Sequence, residues 1–424
     1  MDQGRKRIAI AAISLCFCMG MRSSDAFAVD WSVNSTLSET VELNDNQFLR
    51  SMLAGGTLGS YSTITANAQA RTPTSRFTFD GDITYQKYRG PGTEGIPQTE
   101  FRQDRINARY ELTGKDPTDL TFAEVTLREQ STALAILSNL GVATNAQGFL
   151  DTSTIRGGIE RNLTSLDFAT LSARSTYTNF DPSGGGTPFT DSSVIGTWRH
   201  RLNSIAALTA SSEFEWLSFN NLSNTNIMIL RNMAGVDATL SPVLSFRGMA
   251  GVGYVKAEQN ATAVAPVPVL ATSSSSGSVA DFITDMLLTY RMLKNTTATL
   301  YATQTIGPSV IGSLTKTTTI GAGLIHTINS RSSLSFGASA SRQVTQGSTD
   351  FYSQSVTYSY QLAREWNAHL SYRHLHRAAT TGSTSNVIFD PITGIPIVSG
   401  LGAASSNSVM LVVSRNFTVL PRGN

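Results

Sequence analysis

Short segments of alternating apolar and polar residues recur from Asp30 to the C-terminal region of this chain. In residues 206–216, for example, Leu208, Ala210 and Phe214 fall on one side of an extended strand and mostly polar residues on the other. A period of two over about ten residues indicates a β-strand and not a helix. Strands that meet lipid on one face and water on the other must close into a barrel, because no backbone group can stay unpaired in a bilayer. The repeat therefore predicts a transmembrane β-barrel.

The pattern predicts an all-β fold, an antiparallel up-and-down barrel of about eighteen strands. Sixteen strands are the alternative, if the first hairpin is mispaired or lies in the lumen. The predicted strands cover residues 30–43, 59–71, 76–89, 100–113, 119–132, 153–162, 166–179, 191–202, 205–219, 226–240, 243–256, 279–293, 296–306, 315–328, 332–345, 351–363, 366–377 and 407–419.

The connections between these strands alternate in length. Even-numbered connections are short, such as 203–204, whereas odd-numbered ones are mostly longer, such as 133–152 and 378–406. Outer-membrane barrels have short periplasmic turns and longer extracellular loops. With an even strand number, both termini are expected on the periplasmic side.

The first 28 residues have the pattern of a secretory signal peptide. Residues 5–7 are basic, residues 8–21 form a short apolar run, and 26–28 read Ala-Phe-Ala, which fits a cleavage site after Ala28. The apolar run is too short to span a bilayer as a helix. The two cysteines of the chain, Cys16 and Cys18, lie in this segment. We expect export, removal of residues 1–28, and a single outer-membrane barrel over 29–424 in a Gram-negative bacterium.

Charge and hydropathy exclude some classes of partner. The whole chain carries a formal net charge of +2, and the segment after Ala28 is close to neutral. No basic patch or motif indicates nucleic acid. Apolar aromatic residues near strand ends are typical of interfacial girdles that contact membrane lipid. These are Tyr110, Tyr177, Trp198, Phe214, Trp216, Tyr290, Tyr358, Tyr360 and Trp366.

The polar face of the strands carries both arginines and carboxylates. We predict that these side chains line a pore, although many are also expected to form structural pairs between neighbouring strands. Their near-balance indicates weak ion selectivity, and arginine favours fixed, planar hydrogen bonding within the wall. The predicted pore-lining residues are Arg105, Arg109, Glu111, Glu124, Arg128, Arg174, Arg199, Glu213, Glu215, Arg231, Asp285 and Arg291.

The third long connection contains an unusual apolar segment, residues 133–140. Leu134, Ile136, Leu137 and Leu140 fit a short helix that ends at Gly141. We hypothesise that this loop dips into the barrel and narrows it. The alternative is a loop that packs on the barrel rim.

Sequence motifs for catalysis or cofactor binding do not stand out. His374 and His376 share one strand face, but no further ligand lies at metal-binding spacing nearby, so a solvated rim is the favoured interpretation. No G-x-S-x-G motif or P-loop is present. The sequence therefore predicts neither an enzyme nor a cofactor, although separate strands could still assemble a Ser/His/Asp site.

Two segments resemble known outer-membrane proteins. Residues 37–49, which end in an acidic Asp-Asn turn, resemble the start of β-barrel porin families that often accompany exopolysaccharide export. Residues 409–417 look like the terminal strand recognised by the outer-membrane assembly machinery, through Val409, Leu411, Val413 and Phe417. The resemblance implies contact with that machinery and with polysaccharide export proteins.

The favoured function is a passive outer-membrane channel for small polar solutes, or for an exported polysaccharide if the resemblance holds. An outer-membrane enzyme and a surface scaffold or adhesin without transport are the alternatives.

Overall fold

A computed structural model describes most of the chain. The described residues are 29–50, 55–94, 99–114, 119–132, 148–181, 187–220, 225–259, 277–308, 314–344, 348–379, 388–389, 396–397 and 402–420. The predicted signal peptide lies outside them and stays a prediction.

Eighteen long strands form one antiparallel sheet. Each predicted strand is present, with ends that differ by a few residues, so the eighteen-strand prediction is confirmed and the sixteen-strand alternative is wrong. The strands, labelled β1 to β18, are Asp30–Asn44, Thr57–Arg71, Ser75–Arg89, Glu100–Thr113, Leu120–Ser131, Phe149–Asn162, Asp167–Phe180, Phe189–Arg201, Ala206–Phe219, Thr225–Ser241, Leu244–Gln259, Gly277–Leu293, Thr296–Pro308, Leu314–Asn329, Ser332–Val344, Ser348–Gln361, Trp366–Arg377 and Ala404–Leu420. A 3₁₀ turn at Pro91–Thr93 and a two-stranded ladder of Ile388–Phe389 with Pro396–Ile397 lie outside the barrel sheet.

The sheet closes on itself because β1 pairs with both β2 and β18. The β1–β18 register runs from Asn44 opposite Ser408 to Val33 opposite Leu420, with one irregularity at Val33 and Asn34. Closure gives every one of the eighteen strands two paired neighbours, which suits a structure that must satisfy its backbone inside lipid. No helix of the described chain is long and apolar enough to cross a membrane.

The strand register separates an interior face from an outer face. Residues of the same face of β2–β5 and of β15–β18 line one cavity, and these strands form, with β1 between them, half of the closed sheet, so this face points inward. Leu208, Ala210, Val356 and Tyr358 lie on the other face. Leu208 and Tyr358 keep 42% and 40% of their surface exposed. Large exposed apolar side chains are expected on a surface whose solvent is lipid.

A polar clamp secures the point of closure at the end of β1. The carboxylate of Asp45 accepts hydrogen bonds from the backbone N–H of Asn407 at 2.7 Å and from its side chain at 2.6 Å, both on β18. Asn44 accepts from Ser406 at 2.9 Å, and Asn46 donates to the Ser405 carbonyl at 2.9 Å. The Asp-Asn turn of the sequence therefore joins the first strand to the last.

Candidate functional site: the barrel interior

All twelve predicted pore-lining residues lie on the interior face. Most of the arginines among them contact a carboxylate, as expected for structural pairs. Arg105 bonds Asp82 at 2.7 Å and Arg199 bonds Asp237 at 3.0 Å. Cross-strand pairs of opposite charge stabilise a sheet by roughly 0.2–1 kcal/mol each. Their role in a pore stays a prediction.

The densest group of charges spans β7 to β10. Arg174 lies 2.9 Å from Asp191 and 3.5 Å from Glu215. Arg231 contacts Glu215 at 2.5 Å and Glu213 at 2.9 Å. Glu215 is only 2% exposed, so its two arginine contacts compensate the loss of water around a buried carboxylate. We call these five residues the buried charge network.

A second charged group lies on β4 to β6. Arg109 contacts Glu111 at 2.7 Å on its own strand and Glu124 at 3.6 Å on the next. The guanidinium groups of Arg109 and Arg156 lie over the Phe122 ring, 4.6 and 5.3 Å from its centroid. Cation–π attraction to this ring stabilises both guanidinium groups and partly takes the place of carboxylate contacts.

The interior is strongly asymmetric around the barrel. Each strand from β3 to β12 carries at least one charged interior residue, and we call this face the charged wall. The described interior positions of β13 to β16 carry no charge. These positions are mostly serine, threonine and glycine, and we call this face the hydroxyl wall. Its members include Thr299, Thr303, Thr319, Ser335, Gly337, Ser339, Ser341, Ser353, Ser355 and Thr357.

Residues 45–50 follow β1 and fold into the barrel over β2 to β4. Phe48 is 6% exposed and packs edge-on against Tyr88, with ring centroids 5.8 Å apart. Gln47 donates a hydrogen bond to the Tyr88 hydroxyl at 3.2 Å. Leu49 has a left-handed backbone, with φ 48, held by the bond from its N–H to the Asn46 carbonyl at 3.1 Å. We call this segment the first inward segment.

The β13–β14 hairpin also folds inward. The register between β12 and β13 ends at Thr284 opposite Gln304, although both strands continue beyond that pair. Past this point β13 and β14 remain paired with each other, from Thr305 opposite Thr317 to Pro308 opposite Leu314. The described residues 305–308 and 314–317 form the inward hairpin.

Contacts across the barrel fix the position of the inward hairpin. Arg231 on β10 donates to the Ile306 carbonyl at 2.5 Å. Lys316 forms an ion pair with Asp281 at 2.6 Å. Ile306, 8% exposed, packs into an apolar cluster on the interior face of β8 to β12, and Leu314 packs against that cluster. The other buried members of the cluster are Phe189, Leu217, Phe219, Ile227, Ile229, Val255 and Ile283.

Both inward elements lie at the end of the barrel that carries the long connections. Between the first inward segment and β15 to β18 is a cavity of about 560 Å³. Its lining combines amide, hydroxyl, aromatic and guanidinium groups, including Gln103, Arg128, Ser341 and Arg373. Because it touches opposite walls, this cavity marks a narrow part of the interior.

The predicted constriction segment, with Leu134, Ile136, Leu137 and Leu140, lies outside the described residues. The inward elements that the structure describes were not predicted. One sequence signal for the hairpin was available, because Ile227 to Leu230 are four consecutive apolar residues where alternation fails. A strand that is apolar on both faces is expected to have both faces buried, so a further element is expected to pack against the interior face of β10.

The histidines form pairs and not a catalytic triad within the described chain. His369 Nδ1 lies 2.9 Å from Ser359 Oγ, and His200 Nδ1 lies 2.8 Å from Asp167 Oδ1. His374 contacts Asn407 at 2.7 Å on the outer face. Among the described residues, no group of three or more His, Cys, Asp or Glu side chains could hold a metal ion.

Residues of the C-terminal strand alternate as predicted, with Val409, Leu411, Val413 and Phe417 on the outer face. Arg415 lies among them, and its guanidinium group lies 5.4 Å from the Trp366 ring centroid and 4.7 Å from that of Phe417. Aromatic contact of this kind accommodates an arginine near a membrane interface.

No protein family and no curated protein sequence matches the chain. Its fold is similar to that of solved barrels. The FrpB iron transporter from Neisseria meningitidis (F5-1 variant) is 8% identical, with a TM-score of 0.52 over 92% of this chain and 82% of that one. OccAB2 from Acinetobacter baumannii is 8% identical, with a TM-score of 0.47 over 92% and 98%. The copper transporter OprC is 9% identical, with a TM-score of 0.49 over 93% and 82%. The strand pairing and the likeness to FrpB show that the chain has the closed antiparallel fold of outer-membrane β-barrels.

Proposed function

We propose that this protein is an outer-membrane channel through which small polar solutes pass passively. The observation that carries the proposal is the polar interior of a closed barrel with an apolar outer face. A barrel of this strand number is wide enough to hold water between its walls. Serine and threonine on the hydroxyl wall can exchange hydrogen bonds with water and solutes, while the paired charges of the opposite wall hold its shape.

The pore-lining role of the twelve charged residues belongs to this proposal. The pairing of most of them argues for weak ion selectivity, because a paired arginine and carboxylate present little net field to a passing ion. The two inward elements support selection by size, since both occupy space at the same end of the barrel.

We further propose the cellular setting. The signal pattern favours export and cleavage after Ala28, and the outer-face alternation of Val409 to Phe417 favours recognition by the assembly machinery. The long connections, at the end with the cavity, would then face outside the cell.

Polysaccharide export is the second candidate function. It is favoured by the amide- and aromatic-rich cavity, whose chemistry suits a hydroxylated solute, and by the resemblance of residues 37–49. Contact with polysaccharide export proteins belongs to this candidate.

Membrane insertion is tested first. The processed protein should start at Val29 and appear in outer-membrane fractions as a heat-modifiable band. An arginine at the midplane of the outer face should destabilise the barrel by about 2–4 kcal/mol in reversible unfolding in lipid, and Leu208→Arg, near the short-turn end of β9, should cost more than Thr209→Arg, since only Leu208 faces hydrocarbon. Equal costs at the two positions would contradict the assignment of faces.

Transport is tested by liposome swelling with sugars of graded size. Uptake that falls with solute size and depends little on solute charge is the expected result. Vesicles that contain folded, heat-modifiable protein and still exclude the smallest sugar would contradict a channel and favour a scaffold or an enzyme.

A further inference from the structure

The cavity beside the first inward segment differs from the rest of the interior in its chemistry. Sixteen residues line it, including five glutamines, four serines and two arginines. No aspartate or glutamate is among them. At about 560 Å³, it falls within the size range of small-molecule sites, roughly 300–1,000 Å³.

Several polar groups of the cavity have unused hydrogen-bonding capacity. Beyond the backbone ladder, the side chains of Arg128 and Arg373 make no hydrogen bond or ion pair with any other described residue, and the same is true of the side chains of Gln103 and Gln130. Other interior arginines, such as Arg105, contact carboxylates directly. The cavity therefore offers two cations and several amides that the fold leaves available to a ligand.

The two arginines approach the cavity from different sides. Arg128 lies on β5 beside Arg105, whereas Arg373 lies on β17 between interior neighbours Ser355 and Ser408. A ligand between the walls could meet both guanidinium groups. Their planar donor pairs match a carboxylate in two-point geometry.

The remaining lining indicates what else the ligand carries. Glutamine amides both donate and accept, and serine hydroxyls do the same, so together they match a ring with several hydroxyl groups. Tyr88 and Phe351 add aromatic surface for the apolar face of such a ring. A simple inorganic anion would not use these groups.

We propose that this cavity binds a saccharide that bears a carboxylate, such as a disaccharide with a uronic acid unit. The proposal rests on the proposed channel function and names a class of solute for it. The carboxylate contacts Arg128 and Arg373, and the ring hydroxyls contact the glutamines and serines. Of the charged wall, only the positions of β3 to β5 that line the cavity, including Arg128, take part.

The experiment is block of the ion current through single channels in planar bilayers. The probes are a uronic acid disaccharide, a neutral disaccharide of the same size and acetate. We expect half-maximal block by the acidic disaccharide at about tenfold lower concentration than by the neutral one, since hydrogen bonds to charged groups are worth about tenfold or more in affinity. Acetate should block weakly because it lacks hydroxyl groups.

Matched variants separate local binding from pore charge. Arg128→Gln and Arg373→Gln should each raise the half-blocking concentration of the acidic disaccharide about tenfold and leave that of the neutral one unchanged. Arg201→Gln removes an interior cation at the opposite end of the barrel and should change neither. Gln103→Leu should weaken block by both disaccharides.

Two outcomes would overturn the proposal while the channel stands. One is equal block by the acidic and the neutral disaccharide, and the other is an equal effect of Arg128→Gln and Arg201→Gln. Folded protein that gives no current at all would instead contradict the proposed function itself.

Discussion

The charged wall and the hydroxyl wall are built from the same strand geometry but are stabilised differently. On the charged wall, long side chains contact one another across several strands, as in the buried charge network. On the hydroxyl wall, short side chains and glycines leave few contacts beyond the backbone ladder, such as Ser335 Oγ with the Thr357 carbonyl at 3.4 Å. Side-chain contacts that stabilise the barrel are therefore concentrated on the charged wall, whereas the hydroxyl wall leaves more open space in the interior.

The inward hairpin connects the two walls. It extends from the hydroxyl wall and ends on the apolar cluster and Arg231 of the charged wall. The hydroxyl wall has no long side chains and narrows the interior through the backbone of the inward hairpin. The charged wall supplies the surface against which this hairpin packs. Four predictions test this difference between the two walls.

The largest effect is expected at Arg231. Arg231→Met leaves Glu215 and Glu213 without a main cation and frees the Ile306 carbonyl, so it should lower the free energy of unfolding by about 3–5 kcal/mol. Ser355→Ala on the hydroxyl wall should change it by about 0.5 kcal/mol or less. Reversible urea unfolding in lipid vesicles measures both. Similar costs for the two variants would show that the walls do not differ in stability.

The two walls also differ in how closely the neighbouring atoms approach their glycines. A Cβ at Gly251 on the charged wall would lie 1.8 Å from the Asn232 carbonyl oxygen, whereas one at Gly337 on the hydroxyl wall meets only Ser355 Oγ at 3.0 Å. Gly251→Ala should cost about 1–3 kcal/mol because strands must separate. Gly337→Ala should cost far less, since a serine side chain can rotate. The same unfolding assay tests the pair, and a larger cost at Gly337 would refute it.

Docking of the inward hairpin depends on Ile306. Ile306→Ala removes apolar surface from the cluster and should weaken docking by about 1–2 kcal/mol, with a larger single-channel conductance as the hairpin leaves the lumen. Ile320→Ala, on the outer face of β14 and outside the inward hairpin, serves as the control and should leave conductance unchanged. Unchanged conductance in Ile306→Ala, with folding retained, would place the hairpin outside the conduction path.

The smallest effect concerns ion preference. Thr303→Lys adds a cation to the hydroxyl wall directly opposite Asp285 of β12, so it offsets that carboxylate and should shift the reversal potential toward anions at 0.1 M salt. At 1 M salt the shift should largely vanish, because the screening length falls from about 10 Å to about 3 Å. A reversal potential that stays constant at both salt concentrations would show that Thr303 does not face the permeating solution.

Local pattern was sufficient to predict the strands and faces. The alternation at Leu208 and Thr209 depends only on neighbouring residues, and burial of one face fixes the register. The ion-pair partners of the charged wall were harder to predict from the sequence. Arg109, for instance, contacts Glu111 two positions along its own strand as well as the cross-strand Glu124.

The inward elements could not be derived from periodicity. The bond from Arg231 to Ile306 joins residues 75 positions apart, and the split between β12 and β13 leaves strand-like alternation intact on both sides. Likewise, Phe48 and Leu49 read as ordinary loop residues, and only the position of Tyr88 explains why they lie inside the barrel.

The proposed channel function requires that the space between the two walls conducts ions. Planar-bilayer recording of the processed, heat-modifiable protein tests it most directly. We expect discrete open steps with weak charge preference and a conductance that rises in Ile306→Ala. Folded protein that inserts into the bilayer and gives no conductance, both as wild type and as Ile306→Ala, would contradict it.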